Sequence, residues 1–144
     1  MDHLAPIGDV YQAGTLSGNP LAVAAGISMM HLINSYGVYE KAEKQTKKLV
    51  DGIQKIIREN NLPMQVNAVG TMFTLFFTNK PIRNVNDVNQ CDFKMFNRYF
   101  HFLKDNHILL PPSQYEACFV SSEHNDKIIN KTIKVFSEFV KDNF

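Results

Sequence analysis

Tyr11-Gln12-Ala13-Gly14-Thr15-Leu16-Ser17-Gly18-Asn19-Pro20 brings glycines, hydroxyls and the start of a helix together in one short run. Asn19 can accept a backbone N–H at the N-cap, and Pro20 at the first helical position gives up no donor that a helix needs. The N–H groups of such a turn, the Thr15 and Ser17 hydroxyls and the positive end of the helix dipole together make an anion site, best suited to a phosphate. The same residues allow a plainer reading, a capped turn that does no more than lead into a helix.

Downstream, the helix runs through Ala22, Ala24, Ala25, Met29 and Leu32 and carries no charge from Pro20 to Met30. An apolar surface nearly all round predicts burial between layers or between subunits, with Gly26 permitting close packing. Gly37 breaks it. A second helix is expected from about Val38 to Asn60, with Val38, Ala42, Leu49, Ile53 and Ile56 inward and Lys41, Lys44, Lys47 and Lys48 solvated. After the turn at Leu62-Pro63, Val66 to Val69 and Thr71 to Thr78 read as strands, Phe73, Leu75 and Phe77 alternating with Met72, Thr74 and Phe76. Gly70 between them suggests a bend or bulge.

Asn84 to Asn89 reads as polar loop, and Val88, Cys91, Met95, Tyr99, Phe102 and Leu103 keep helical spacing up to Asn106. Ile108 to Leu110 and Ala117 to Val120 are short strand candidates flanking Pro111-Pro112-Ser113-Gln114. A last helix begins at Asn125 or Asp126, with Ile129, Ile133, Phe136 and Val140 inward. The order predicts an α+β domain, a small antiparallel or mixed sheet covered by helices on one side and preceded by an apolar helix with no sheet of its own.

Composition narrows the classes. The 144 residues suffice for one core, and 44% hydrophobic with 20% charged residues is an ordinary globular mixture. A net charge of +1 offers no field for nucleic acid or an anionic bilayer, so neither partner is expected. Phe73, Phe96, Phe102 and Phe136 fall on core periodicities without interleaved basic residues, which argues against base stacking. Cys91 and Cys118 are far apart and without companions at ligand spacing, and the five histidines are scattered, so no metal site and a reducing compartment are expected. No apolar run approaches the ~20 residues of a membrane span, and Met1-Asp2-His3 does not begin like a signal peptide. A soluble, cytoplasmic chain is the expectation.

Three stretches carry a resemblance. Leu4-Ala5-Pro6-Ile7-Gly8 with Val10 to Ala22, then Gly70-Thr71-Met72-Phe73 with Phe76-Phe77-Thr78, and above all Pro112-Ser113-Gln114-Tyr115-Glu116-Ala117 resemble, in register, the C-terminal portion of the glutamate-1-semialdehyde aminomutases. These belong to the class III group of pyridoxal-phosphate aminotransferases. The Thr followed by Gly-Asn-Pro is common to the group; the Pro-Ser-Gln-aromatic-Glu-Ala run is the aminomutases' own.

The resemblance implies the small C-terminal domain of a fold-type-I enzyme over residues 36–144, with a phosphate-contact loop and interdomain helix over 1–35. It implies that Thr15, with the backbone of Gly14, contacts the pyridoxal-phosphate phosphate of the neighbouring subunit, so the site is a composite of a homodimer. Tyr11 falls near the active site. Glu116 stands where related aminotransferases often place an arginine, and a carboxylate there favours the cationic amine of a diamine-like intermediate over a second acid group. The family reaction converts glutamate-1-semialdehyde to 5-aminolevulinate for tetrapyrrole (porphyrin) synthesis. Its cofactor-binding lysine lies upstream of the Tyr-Gln-Ala-Gly-Thr run, where this sequence has no lysine. The chain is therefore expected to hold no catalytic residue of its own, to be inactive alone, and to need the remainder of a parent chain. Two other readings stay open: a noncatalytic interaction module using the helix from Pro20 to Ser35, and another class III aminotransferase, for which arginine at position 116 would be expected.

Overall fold

The computed structural model describes residues 1–144. Two units divide the chain, Met1–Tyr36 and Gly37–Phe144. The first begins with a small closed loop, in which Ala5 N donates to Val10 O at 3.0 Å and Val10 N to His3 O at 2.9 Å. It ends in α1, Pro20–Ser35, capped as its sequence predicts: Asn19 Oδ1 accepts from Leu21 N at 3.0 Å and Ala22 N at 3.2 Å. No residue of α1 is buried, because its uncharged faces find no core within their own unit. No single helix of the chain is long and apolar enough to cross a membrane.

In the second unit, α2 spans Val38–Glu59 and starts at Gly37, whose φ of +58° lies in the left-handed region. Its inward stripe of Ala42, Thr46, Leu49, Val50, Ile53 and Ile57 follows the helical repeat. Ile56 of the expected stripe is partly buried against the core. Thr46 can be buried because its hydroxyl donates to Ala42 O at 2.8 Å. Lys41, Lys44 and Lys47 are exposed as expected.

Next come β1, Gln65–Val69, and β2, Met72–Phe76, an antiparallel pair in which Val69 faces Met72. Gly70 is thus the tip of a tight hairpin, at φ +56°, rather than a bend or bulge within a strand. Asn84 to Asn89 is not loop. Asn84 Oδ1 accepts from Asn86 N and Asp87 N while Asp87 Oδ2 accepts from Asn84 N, a reciprocal capping box that closes α3, Val85–Val88. The following helix, α4, spans Phe93–Asp105 and is capped by Asp92, whose carboxylate accepts from Met95 N at 2.9 Å.

Of the two late strand candidates, only Cys118–Phe119 forms, as β3. It pairs antiparallel with β2, Met72 facing Phe119 and Phe73 facing Cys118, and the sheet order is β1-β2-β3. Ile108 to Leu110 is not a strand: Ile108 and Leu110 pack against the core through their side chains while the segment stays outside the sheet. The last helix, α5, spans Asp126–Asn143.

Alternation along β2 and the residue that continues it sends Phe73, Leu75 and Phe77 into one core with residues of α2, α4 and α5, while Phe76 joins Val88 and Cys91 on the other face. Phe136, Phe139 and Leu103 have no exposed surface at all. The approach of α2 to α5 depends on Gly52: a Cβ there would lie 2.6 Å from Ile133 Cδ1 and 3.0 Å from its Cγ1. Nearby, Lys48 Nζ and Asp126 meet at 2.7 Å and Gln45 Nε2 donates to the same carboxylate at 3.4 Å; these contacts hold Asp126 below the usual carboxylate range. Asn125 caps α5 through Lys127 N and Ile128 N. Asn125→Ala is expected to lower the unfolding free energy by about 1 kcal/mol, read as an earlier urea midpoint with an unchanged slope.

Candidate functional site

Tyr11, Gly14 and Thr15 lie on the loop preceding α1 in the first unit. Ser17 N donates to Gly14 O at 3.0 Å and Asn19 N to Leu16 O at 3.1 Å, two consecutive turns that wind toward the helix. Gly18 has a φ of +74°, which the path of the backbone reserves for glycine, whereas a Cβ at position 14 would meet the Ser17 Oγ and require that side chain to move. The amides of Thr15, Leu16 and Gly18 and the hydroxyls of Thr15 and Ser17 have no partner in the chain. All are on exposed residues. Neither Lys nor Arg occurs before Lys41, so this turn offers an anion neutral donors and a helix dipole. That donor set fits a phosphate. The Tyr11 side chain is exposed and makes no hydrogen bond.

Glu116 lies in the second unit, on the loop leading into β3. Gln114, only 2% exposed, donates from Nε2 to Leu75 O at 2.8 Å, while its Oε1 is buried without a partner. Tyr115 N donates to Ser113 Oγ and Glu116 N to Ser113 O, both at 3.2 Å. The Tyr115 hydroxyl donates to Asn89 Oδ1, and its ring lies 5.6 Å from that of Phe93. The loop is thus tied to β2, to the α3–α4 connection and to itself. Glu116, its one charged residue, forms no ion pair and is exposed.

Glu116, Gln114, Cys118 and Tyr99 share the lining of a small void beneath the loop. Burial first, and then the Glu116 charge, push the Cys118 thiol up to about 11. Burial likewise raises Tyr99 and, together with Asp87, the Cys91 thiol, so all three stay protonated near neutrality. A larger cavity of about 380 Å³ adjoins that void, sharing Phe73 and Cys118 with it, and is lined besides by Leu49, Ile108, Phe119, Ile129 and Lys131. It contains none of Tyr11, Gly14, Thr15 or Glu116.

The sequence marks Gln114 and Tyr115 as parts of a motif without giving either a task, and Asn89 escapes it entirely. The Asn84-x-x-Asp87 spacing of a capping box would have located the short helix that carries Asn89 at its end.

Over 141 residues, 98% of the chain, the sequence is 43% identical to the glutamate-1-semialdehyde 2,1-aminomutases of two Desulfitobacterium hafniense strains, DSM 10664 / DCB-2 and Y51. The match takes in 33% of their length, so the chain spans about a third of the curated relatives. The fold superposes with a TM-score of 0.82 on a glutamate-1-semialdehyde aminomutase from Pseudomonas aeruginosa PAO1 solved with PMP, at 18% identity, covering 95% of this chain and 31% of that one. An omega-transaminase from Sphaerobacter thermophilus matches at 0.76 and 17% identity, over 92% of this chain and 30% of its own. These structures establish a shared fold. The family model described as aminotransferase class-III matches residues 1–135, from the glycine turn through both loops and into α5, and the chain accordingly belongs to the class-III aminotransferases.

Proposed function

We propose that the chain is the C-terminal portion of a pyridoxal-phosphate-dependent aminomutase that converts glutamate-1-semialdehyde to 5-aminolevulinate, the entry to tetrapyrrole synthesis. Residues 1–35 supply its phosphate-contact loop and interdomain helix, and residues 36–144 its small domain. The enzyme works as a cytoplasmic homodimer. The observation that favours this reaction over an ordinary amino-group transfer is the carboxylate at position 116, unpaired and carried on a tied loop.

The Thr15 hydroxyl and the amides of Thr15, Leu16 and Gly18 would hold the cofactor phosphate, with the start of α1 adding its partial positive charge. Pyridoxal phosphate, when bound, supplies the electron sink that lets an amino group migrate between neighbouring carbons. Tyr11 lies on the same loop, where its exposed hydroxyl can donate to substrate or cofactor. Glu116 attracts the protonated amine of the reacting molecule and repels a second carboxylate, which selects against the diacid substrates of related enzymes. The lysine that anchors the cofactor belongs to polypeptide outside these 144 residues.

The 144-residue chain is therefore expected to be inert alone. Incubation with pyridoxal phosphate followed by borohydride reduction should leave no cofactor fixed stoichiometrically to any one lysine, as read by peptide mass spectrometry. A single fully labelled lysine accompanied by 5-aminolevulinate formation would overturn the assignment of that lysine to a missing segment.

A further inference from the structure

We propose that Gln114 is the positioning residue for Glu116, standing in for its backbone in the sheet so that the carboxylate can leave the ladder. The register of β2 and β3 sets up the argument. Met72 faces Phe119 and Phe73 faces Cys118, and just beyond them Val120 N donates to Thr71 O at 3.0 Å. Continued by two residues, the same register would set Glu116 opposite Leu75, with Glu116 N donating to Leu75 O. It does not. Glu116 N turns to Ser113 O, and the acceptor left behind on Leu75 is taken by Gln114 Nε2 at 2.8 Å.

A side chain thus completes the ladder where β3 stops. The carbonyl of Leu75 can only accept, so the nitrogen of the Gln114 amide must face it and the oxygen must face away. That oxygen is buried with no donor, a penalty methionine or leucine of similar size would avoid if filling space were the task. What the amide provides is the N–H. With it, the loop closes over β2, Tyr115 reaches Asn89 and Phe93, and Glu116 is presented beside Cys118 with its charge unpaired. The catalytic meaning of this arrangement rests on the function proposed for Glu116; the positioning itself can be measured without turnover.

The test uses the intact 144-residue chain and the iodoacetamide reactivity of Cys118 at fixed pH, quantified by peptide mass spectrometry. Removing the neighbouring charge favours the thiolate, so Glu116→Gln should speed modification roughly threefold. In the Gln114→Met background the same Glu116→Gln change should have no effect, because the carboxylate is no longer held there. An undiminished threefold acceleration would overturn the proposal, since a residue that merely fills space leaves the pairing of 116 with 118 intact. Should Gln114→Met fail to fold, the unaltered chain still decides. The Gln114 side-chain amide should exchange with solvent at least about tenfold more slowly than that of exposed Gln12, and equal rates would refute the bond on which the proposal stands. A positive result with no activity for any full-length enzyme would leave the positioning standing and fault the assigned reaction instead.

Discussion

Replacing Phe139 with alanine is expected to remove about 3–5 kcal/mol of stability, a large share of the roughly 5–15 kcal/mol that holds an ordinary domain folded. Phe139 has no exposed surface, and its ring meets three others: Tyr99 at 5.3 Å, Phe102 at 5.6 Å and Phe77 at 6.3 Å, all tilted toward edge-to-face. The side chain therefore joins β2's continuation, α4 and α5. Truncation forfeits its transfer energy, opens a cavity and breaks favourable ring pairs at once. Urea denaturation followed by circular dichroism would show a lost or strongly shifted transition. Phe139→Leu, which keeps most of the volume, should retain a cooperative one. If alanine shifted the midpoint no more than leucine, Phe139 would not be the junction described here.

The largest expected effect on activity is that of Glu116→Arg in a full-length enzyme. The substitution replaces attraction for a protonated amine with repulsion, a change on the order of 3 kcal/mol, or a loss of about a hundredfold in kcat/KM for 5-aminolevulinate formation. Folding should be spared, because Glu116 is exposed and forms no ion pair. Thermal stability within about 1 kcal/mol of the parent would separate the two effects. Unchanged turnover would remove Glu116 from the selection of substrate.

How much of this was legible beforehand depended on the range of the interaction. Asn19-Pro20 and Asn125 announced their helices correctly because capping is settled within a few residues. Phe73, Leu75 and Phe77 announced the buried face of β2 because alternation is a property of one strand. Ile108 to Leu110 misled because a short apolar run can pack its side chains on a core without pairing its backbone, and which of the two happens is not written in the segment itself. Val135 and Phe139 were passed over because α5 contacts both α2 and α4, which widens its buried stripe beyond one seam. At the site, the turn from Gly14 to Asn19 and its cap on the helix could be read from residue types alone. The part played by Gln114 could not, since it follows from how early β3 ends.

The contact between Gly52 and Ile133 bears on inheritance as well as packing. A Cβ at 52 would force the Ile133 side chain to shift or to be shortened, so these two positions, on different helices and far apart in sequence, are coupled in variation. Lineages that abandon the glycine should be found to have trimmed the isoleucine too, whereas trimming the isoleucine first removes the clash and opens the way to a side chain at 52.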